Sequence, residues 1–174
     1  VVDACAGAGG KTLHLAAMME NKGQIIAMDI HGWKLAELKR RAKRAGAHNI
    51  ETREITDNKV IKRLHEKADR LLIDAPCSGL GVLKRNPDSK WKIDQDFIDR
   101  IKKEQQQILQ DYSKIIKKGG KLVYATCSIL PSENNEQVAE FLKNNPDFKL
   151  IKDEKVLPSS GFDGFYMALI ERLA

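Results

Sequence analysis

Two cysteines sit in short motifs of small, mostly polar residues: Asp74-Ala75-Pro76-Cys77-Ser78-Gly79 and Ala125-Thr126-Cys127-Ser128. Each motif follows an apolar run of strand character, Leu71-Leu72-Ile73 and Leu122-Val123-Tyr124. In an open α/β sheet, ligands bind outside the carboxyl ends of the parallel strands, so two strands ending this way would deliver two thiols to one pocket. A thiolate is the strongest nucleophile a side chain offers near neutral pH. One chemistry that needs it is alkylation of a pyrimidine at carbon 5. Sulfur adds to carbon 6, carbon 5 becomes enamine-like, and a base later removes its proton so that the thiol can leave. That reaction wants a cysteine, a carboxyl group and a methyl donor in one dry pocket. Asp74, Cys77 and Cys127 fall on the expected ligand-binding edge. Free cysteine is also a common small buried hydrophobe. That plainer reading suits the side chain of Cys5 better than Cys77 or Cys127, whose neighbours are small and polar.

A methyl donor needs a cradle. Asp3-Ala4-Cys5-Ala6-Gly7-Ala8-Gly9-Gly10-Lys11-Thr12 joins a strand remnant to a helix, and its glycines let the backbone turn sharply against a ligand. A P-loop would need glycine where Cys5 stands, and the dinucleotide fingerprint would need it where Thr12 stands. Neither a nucleoside triphosphate nor NAD is therefore well matched. Asp29 closes the next strand, where an acid can grip ribose hydroxyls. A glycine turn with this acid suits an adenosine cofactor without phosphate, S-adenosylmethionine. The plainer alternative is a tight turn with Asp29 capping a helix.

The elements that must position these residues alternate. Strands are expected at Val1–Ala4, Gln24–Met28, Asn49–Ile55, Arg70–Asp74, Lys121–Ala125, Phe148–Lys152 and Phe165–Ile170. Helices are expected at Lys11–Glu20, His31–Ala45, Asn58–Lys67, Ile93–Lys117 and Ser132–Asn144. Helical spacing of Leu35, Leu38, Ala42 and Ala45, and of Ile101, Ile108, Tyr112 and Ile115, supports two of them. Gly46 and the Gly119-Gly120 pair read as helix stops, and Pro131-Ser132-Glu133 as a helix start with an acid near the positive dipole end. Repeated βα units predict a doubly wound, mostly parallel, Rossmann-like α/β sheet. The final strand should return antiparallel by hairpin, because the turn-rich Pro158–Gly164 is too short for a helical crossover.

At 174 residues and 31% charged, the chain has the size and composition of one globular domain. No run is apolar enough to span a bilayer, and no signal peptide opens the chain. Three cysteines without CxxC spacing point to a reducing, cytoplasmic setting, not to a disulfide framework. No pair among the cysteines and histidines has metal-site spacing, so no metal is expected. A net charge of +6 leans toward a polyanion such as nucleic acid. Lys84, Arg85, Lys90 and Lys92 surround Trp91 in the loop after Cys77. There basic groups could hold phosphates while the indole either stacks on an unpaired base or packs the loop. Lys39-Arg40-Arg41 with Lys43-Arg44 reads as a solvated helix face. The chain opens inside a strand without an initiator Met, which suggests an upstream region.

Taken together, these residues resemble the Sun/NSUN-type RNA (cytosine-5)-methyltransferases, from Val1 nearly to the C-terminus. The resemblance is carried by Cys5-Ala6-Gly7-Ala8-Gly9-Gly10-Lys11, both cysteine motifs, Arg85-Asn86-Pro87-Asp88 with Lys90-Trp91, Leu130-Pro131-Ser132-Glu133-Asn134 and Asp163-Gly164-Phe165-Tyr166-Met167-Ala168. It implies an S-adenosylmethionine-dependent enzyme that methylates carbon 5 of cytosine in RNA, ribosomal RNA before transfer RNA. Cys127 matches the family's nucleophile and Cys77 the cysteine that helps release product. Asp74 matches an aspartate near cofactor and base, Asp29 the ribose-binding acid and Asp57 an aspartate at the adenine end. The loop lacks the family's common Ala-Ala-Pro-Gly-Gly-Lys, and no glycine precedes Asp57. Rival readings are a non-catalytic cofactor-binding or ribosome-assembly module and, less well matched, a nucleotide-dependent oxidoreductase.

Overall fold

Seven strands form one sheet in the order β3-β2-β1-β4-β5-β7-β6 in a computed structural model that describes residues 1–174. The strands are β1 (Val2–Asp3), β2 (Ile25–Asp29), β3 (Ile50–Glu54), β4 (Ala68–Asp74), β5 (Ile116–Thr126), β6 (Phe148–Val156) and β7 (Phe165–Arg172). The first five pair in parallel, while β7 runs antiparallel to both β5 and β6. The doubly wound, mostly parallel sheet expected from the sequence is present, as is the antiparallel final hairpin between β6 and β7. The helices are α1 (Gly10–Met18), α2 (Gly32–Arg44), α3 (Asn58–Lys62), α4 (Ser89–Lys92), α5 (Gln95–Tyr112) and α6 (Asn135–Asn144).

Residue chemistry explains the layers. Leu71, Ile73, Leu122 and Tyr124 are fully buried in neighbouring parallel strands, covered on both faces as such strands require. β7 alternates, burying Tyr166, Ala168 and Ile170 with partly exposed residues between. One core cluster gathers these residues with Leu109, Val138 and Phe141 from α5 and α6. A smaller cluster packs Leu35, Leu38 and Ala42 of α2 on Ala6 and Ala27.

Several boundaries differ from the pattern reading: α3 ends at Lys62 rather than Lys67, β6 runs on to Val156, and three others differ for visible reasons. The helix expected to reach Lys117 ends at Tyr112, and a 3-10 turn over Ser113–Ile115 leads into β5. Ile115 and Ile116 are fully buried, so burial rather than helical period decides where the strand begins. The Gly119-Gly120 pair ends no helix: it lies where β5 loops out, between Ile116 paired to Ala68 and Lys121 paired to Arg70. Pro131–Glu133 is a 3-10 turn, and α6 starts only at Asn135. The short helix α4 lies within the loop after Cys77, where none was expected. No helix is long and apolar enough to cross a membrane.

Candidate active site

The carboxyl ends of β2, β1, β4 and β5 stand side by side, and the chemistry-bearing residues follow directly from them. Asp29 ends β2, the glycine turn follows β1, Asp74 ends β4 with Cys77 just beyond, and Cys127 follows Thr126 at the end of β5.

The glycine turn and Asp29 form one unit. The Gly7 N–H donates to Asp29 Oδ2 at 2.9 Å and the His31 N–H to Oδ1 at 2.8 Å, so the carboxylate is fixed from two sides. Gly9 has φ of +87°, and a Cβ there would lie 2.5 Å from Leu38 Cγ, so both the backbone and the packing of α2 demand glycine. The Ala6 N–H bonds to the Met28 carbonyl, Arg41 donates to the Ala8 carbonyl at 2.7 Å, and Gly10 opens α1. Buried Asp3 accepts a 2.6 Å bond from the Thr12 hydroxyl through Oδ2, while its Oδ1 has no partner. Burial, against that hydrogen bond, pushes the Asp3 carboxyl up to about 6.

A cavity of about 330 Å³ opens beside the turn. Of the expected cofactor residues, Cys5, Gly7, Asp29 and Asp74 line it, and Lys11 reaches its edge through an ion pair with Asp74 at 2.6 Å. Asp57 does not line it: its side chain caps α3 by accepting the Lys59 N–H at 2.7 Å, and Ile55 faces the cavity instead. Ile30, Ile108 and Tyr112 add apolar wall, and Glu104 adds a carboxylate. Three acids against the one lysine of the lining, Lys34, on partly apolar sides suit a cationic nucleoside better than a phosphate-bearing one. The donor set thus fits S-adenosylmethionine: Asp29 for hydroxyls, Asp74 and Glu104 for positive charge. Cys5 is half-buried, and burial followed by the Asp3, Asp74 and Asp29 carboxylates raises its thiol well above the ordinary range.

The two remaining thiols meet. Cys77 Sγ lies 3.1 Å from Cys127 Sγ. A hydrogen bond from Cys77 lowers Cys127 to about 7, against burial and the Asp74 carboxylate, with further help from Lys11. The same bond, with burial, raises Cys77. The two sulfurs thus share one hydrogen bond, and the shared proton is held more tightly by Cys77 than by Cys127.

The residue that pattern reading placed at a helix start, Glu133, is fully buried under both cysteine loops. Ser78 donates to it twice, from its N–H to Oε2 at 2.8 Å and from its hydroxyl to Oε1 at 2.5 Å. The Ser128 hydroxyl donates to Oε1 at 2.6 Å, and Gln105 of α5 to Oε2 at 2.9 Å. Gln105 also bonds the Pro76 carbonyl, Tyr124 the Glu133 carbonyl, and Asn134 the Ser128 carbonyl. The available sequence signal was the shared Cys-Ser pair in both motifs, which gives each loop a hydroxyl to offer. Loop backbones are tied as well: Gly81 N–H bonds Cys127 O, and Gly164 N–H bonds Gly81 O. A Cβ at Gly81 would sit 2.1 Å from the Gly164 carbonyl oxygen. Trp91 is 80% exposed with Lys90 over its ring, which leaves it free of the packing role.

Comparison with known proteins finds one family and one fold. The family model described as 16S rRNA methyltransferase RsmB/F matches residues 1–170. A Bacillus subtilis protein named probable ribosomal RNA small subunit methyltransferase B is 40% identical over 160 residues, 91% of this chain and 36% of that protein. The crystal structure of PH0851 superposes with a TM-score of 0.94 at 34% identity, covering 98% of this chain and 42% of its own. NSun6 from Pyrococcus horikoshii with SFG superposes with a TM-score of 0.88 at 30% identity, covering 99% and 47%. The chain spans about two fifths of the length of the curated relatives it matches.

Proposed function

This chain belongs to the RsmB/F family of 16S rRNA methyltransferases, and from that premise we propose that it transfers a methyl group from S-adenosylmethionine to carbon 5 of a cytosine in small-subunit ribosomal RNA. The observation that carries the reading is the pair of thiols 3.1 Å apart beside an acid-lined cavity. A SFG-bound relative with the same fold supports the cofactor.

Bound S-adenosylmethionine supplies an electrophilic methyl group. Asp29, held by two backbone N–H groups, orients the ribose, while Gly7 lets the chain approach closely. Asp74 borders the cavity and its charge is felt at Cys127, so it is the residue shared by cofactor and base. Cys127, part thiolate at neutral pH, adds to carbon 6 of the cytosine. Carbon 5 then gains electron density and takes the methyl group. A base then carries the carbon 5 proton to solvent, that carbon–hydrogen pair restores the 5,6 double bond, and the carbon–sulfur pair returns to Cys127. With the shared proton on Cys77, the sulfur–sulfur contact stabilises Cys127 both as nucleophile and as leaving group. A target paired within RNA must leave its stack to reach these thiols.

The test supplies intact protein with labelled S-adenosylmethionine and total RNA. Cys127→Ala should lower 5-methylcytosine formation by about 10⁴-fold or more, and Cys77→Ala should accumulate a covalent protein–RNA adduct. Wild-type methylation by Cys127→Ala would overturn the mechanism. Cofactor binding with no transfer by the wild-type protein to any RNA would favour a binding module instead.

A further inference from the structure

The buried carboxylate beneath the thiols belongs to no step above. We propose that Glu133 is a positioning residue of the reaction: it clamps the two cysteine loops together and thereby sets the Sγ–Sγ geometry. The proposal rests on Cys127 being the nucleophile.

The geometry is symmetrical. Each cysteine is followed by a serine, and both serine hydroxyls end on the same oxygen of the same carboxylate, 2.5 and 2.6 Å away. The hydroxyls themselves lie 3.2 Å apart. The other oxygen takes the Ser78 N–H and the Gln105 amide, and Gln105 in turn holds Pro76, the residue before Cys77. Residues flanking each reactive sulfur are thus tied to one point, although the loops are 50 residues apart in sequence. Four donors converge on a fully buried anion, so it is matched rather than stranded. Its charge is not among the main influences on Cys127, which are Cys77, burial, Asp74 and Lys11. The carboxylate therefore acts through placement, not through acidity.

That distinction makes the role separable. Glutamine at this position keeps the shape. Its carbonyl can serve the Ser78 N–H and Gln105, and its amide can donate to hydroxyls that simply rotate. Alanine keeps none of these bonds and leaves the serines and Gln105 without their acceptor.

The experiment measures, in the intact protein, both methyl transfer and the separate rates at which iodoacetamide alkylates Cys127 and Cys77. Glu133→Ala should lower kcat by about 100-fold, the cost of misplacing a reacting atom by about 1 Å. It should also erase the preference for alkylating Cys127 at pH 7, with little change in KM for S-adenosylmethionine. Glu133→Gln should recover activity to within about threefold of wild type, because the orientation of the loops is restored. If Glu133→Ala does not fold, the double variant Ser78→Ala with Ser128→Ala removes both hydroxyls and leaves the carboxylate, and it should show the same loss of alkylation preference. Wild-type kcat and alkylation preference in a folded Glu133→Ala or in the double serine variant would overturn the clamp. So would a Glu133→Gln protein as impaired as Glu133→Ala. Alkylation needs no RNA, so these outcomes are distinct from failure of the methyltransferase reading, which Cys127→Ala reports.

Discussion

The glycine turn and the cysteine loops leave adjacent strands, yet they are held by different means. The turn is fixed mainly through its backbone groups: Gly7 N–H to the Asp29 carboxylate, Ala6 N–H to the Met28 carbonyl, Gly9 N–H to the Ala6 carbonyl, and the Ala8 carbonyl from Arg41. The cysteine loops are fixed by side chains from α5, β5 and the turn before α6, converging on Glu133. The difference tracks the two tasks. A cradle for a nucleoside needs close backbone approach and a few fixed acceptors. A nucleophile needs one atom held in place, and a buried multidentate anion achieves that.

Variants can break this contrast or sharpen it. The largest effect should come from Gly9→Ala, where positive φ and the 2.5 Å approach to Leu38 combine to cost about 3 kcal/mol. Thermal or urea unfolding would measure it, and Cys127 alkylation should stay fast in the folded fraction if the two regions are independent. Asp29→Ala should weaken S-adenosylhomocysteine binding by about 30-fold in calorimetry, the worth of a charge-assisted hydrogen-bond site. An unchanged affinity would dissociate the cavity from the cofactor.

The next effect separates the two thiols. Activity of the wild-type protein should fall as pH drops through about 7, because Cys127 gains a proton and ceases to be a nucleophile. Removing the Cys77 donor should move that limb upward, toward the ordinary cysteine range, so alkylation of Cys127 in Cys77→Ala at pH 7 should slow by about tenfold. A limb that stays at its wild-type pH would show that the 3.1 Å contact does not tune the nucleophile. The last effect belongs to Asp3, which touches neither thiol. Its folded value of about 6 exceeds the ordinary 3.8, so between those pH values the folded protein keeps a proton that the unfolded chain has lost. Stability should decline over that interval as pH rises, and the deficit should persist above it. Asp3→Asn should therefore gain up to about 3 kcal/mol at pH 7 and almost nothing at pH 4.

Much of this architecture is legible in the amino-acid order because it is periodic. Alternating βα segments, helical spacing in α2 and alternation in β7 each report a face that must be buried, and the sheet follows. The glycine turn, Asp29, Asp74 and the two cysteines are legible because strand ends gather at one edge. What period cannot report is a polar group buried by tertiary packing. Pro131-Ser132-Glu133 has the composition of a helix start, and only the arrival of Ser78 and Gln105 from elsewhere turns Glu133 into an interior clamp. Asp57 shows the reverse case. Only the family resemblance assigns it to the adenine end, and in this structure its side chain caps the nearby α3 N-terminus. The end of α5 was missed for a related reason: Ile115 fits helical spacing but is buried by the sheet.

β7 lies between β5 and β6, although the chain makes it after both. On a translating ribosome, β5 must therefore wait with one edge open while β6 emerges, until β7 can slot between them. The turn that precedes β7 carries Gly164, whose bond to Gly81 closes the chain of contacts reaching Cys127. From Cys127 to the end of β7 at Arg172, elongation at roughly 5–20 residues per second takes about 2–9 s. For that interval the reactive sulfur exists without its finished surroundings. Late insertion of one strand thus separates the synthesis of Cys127 from the completion of the contacts around it.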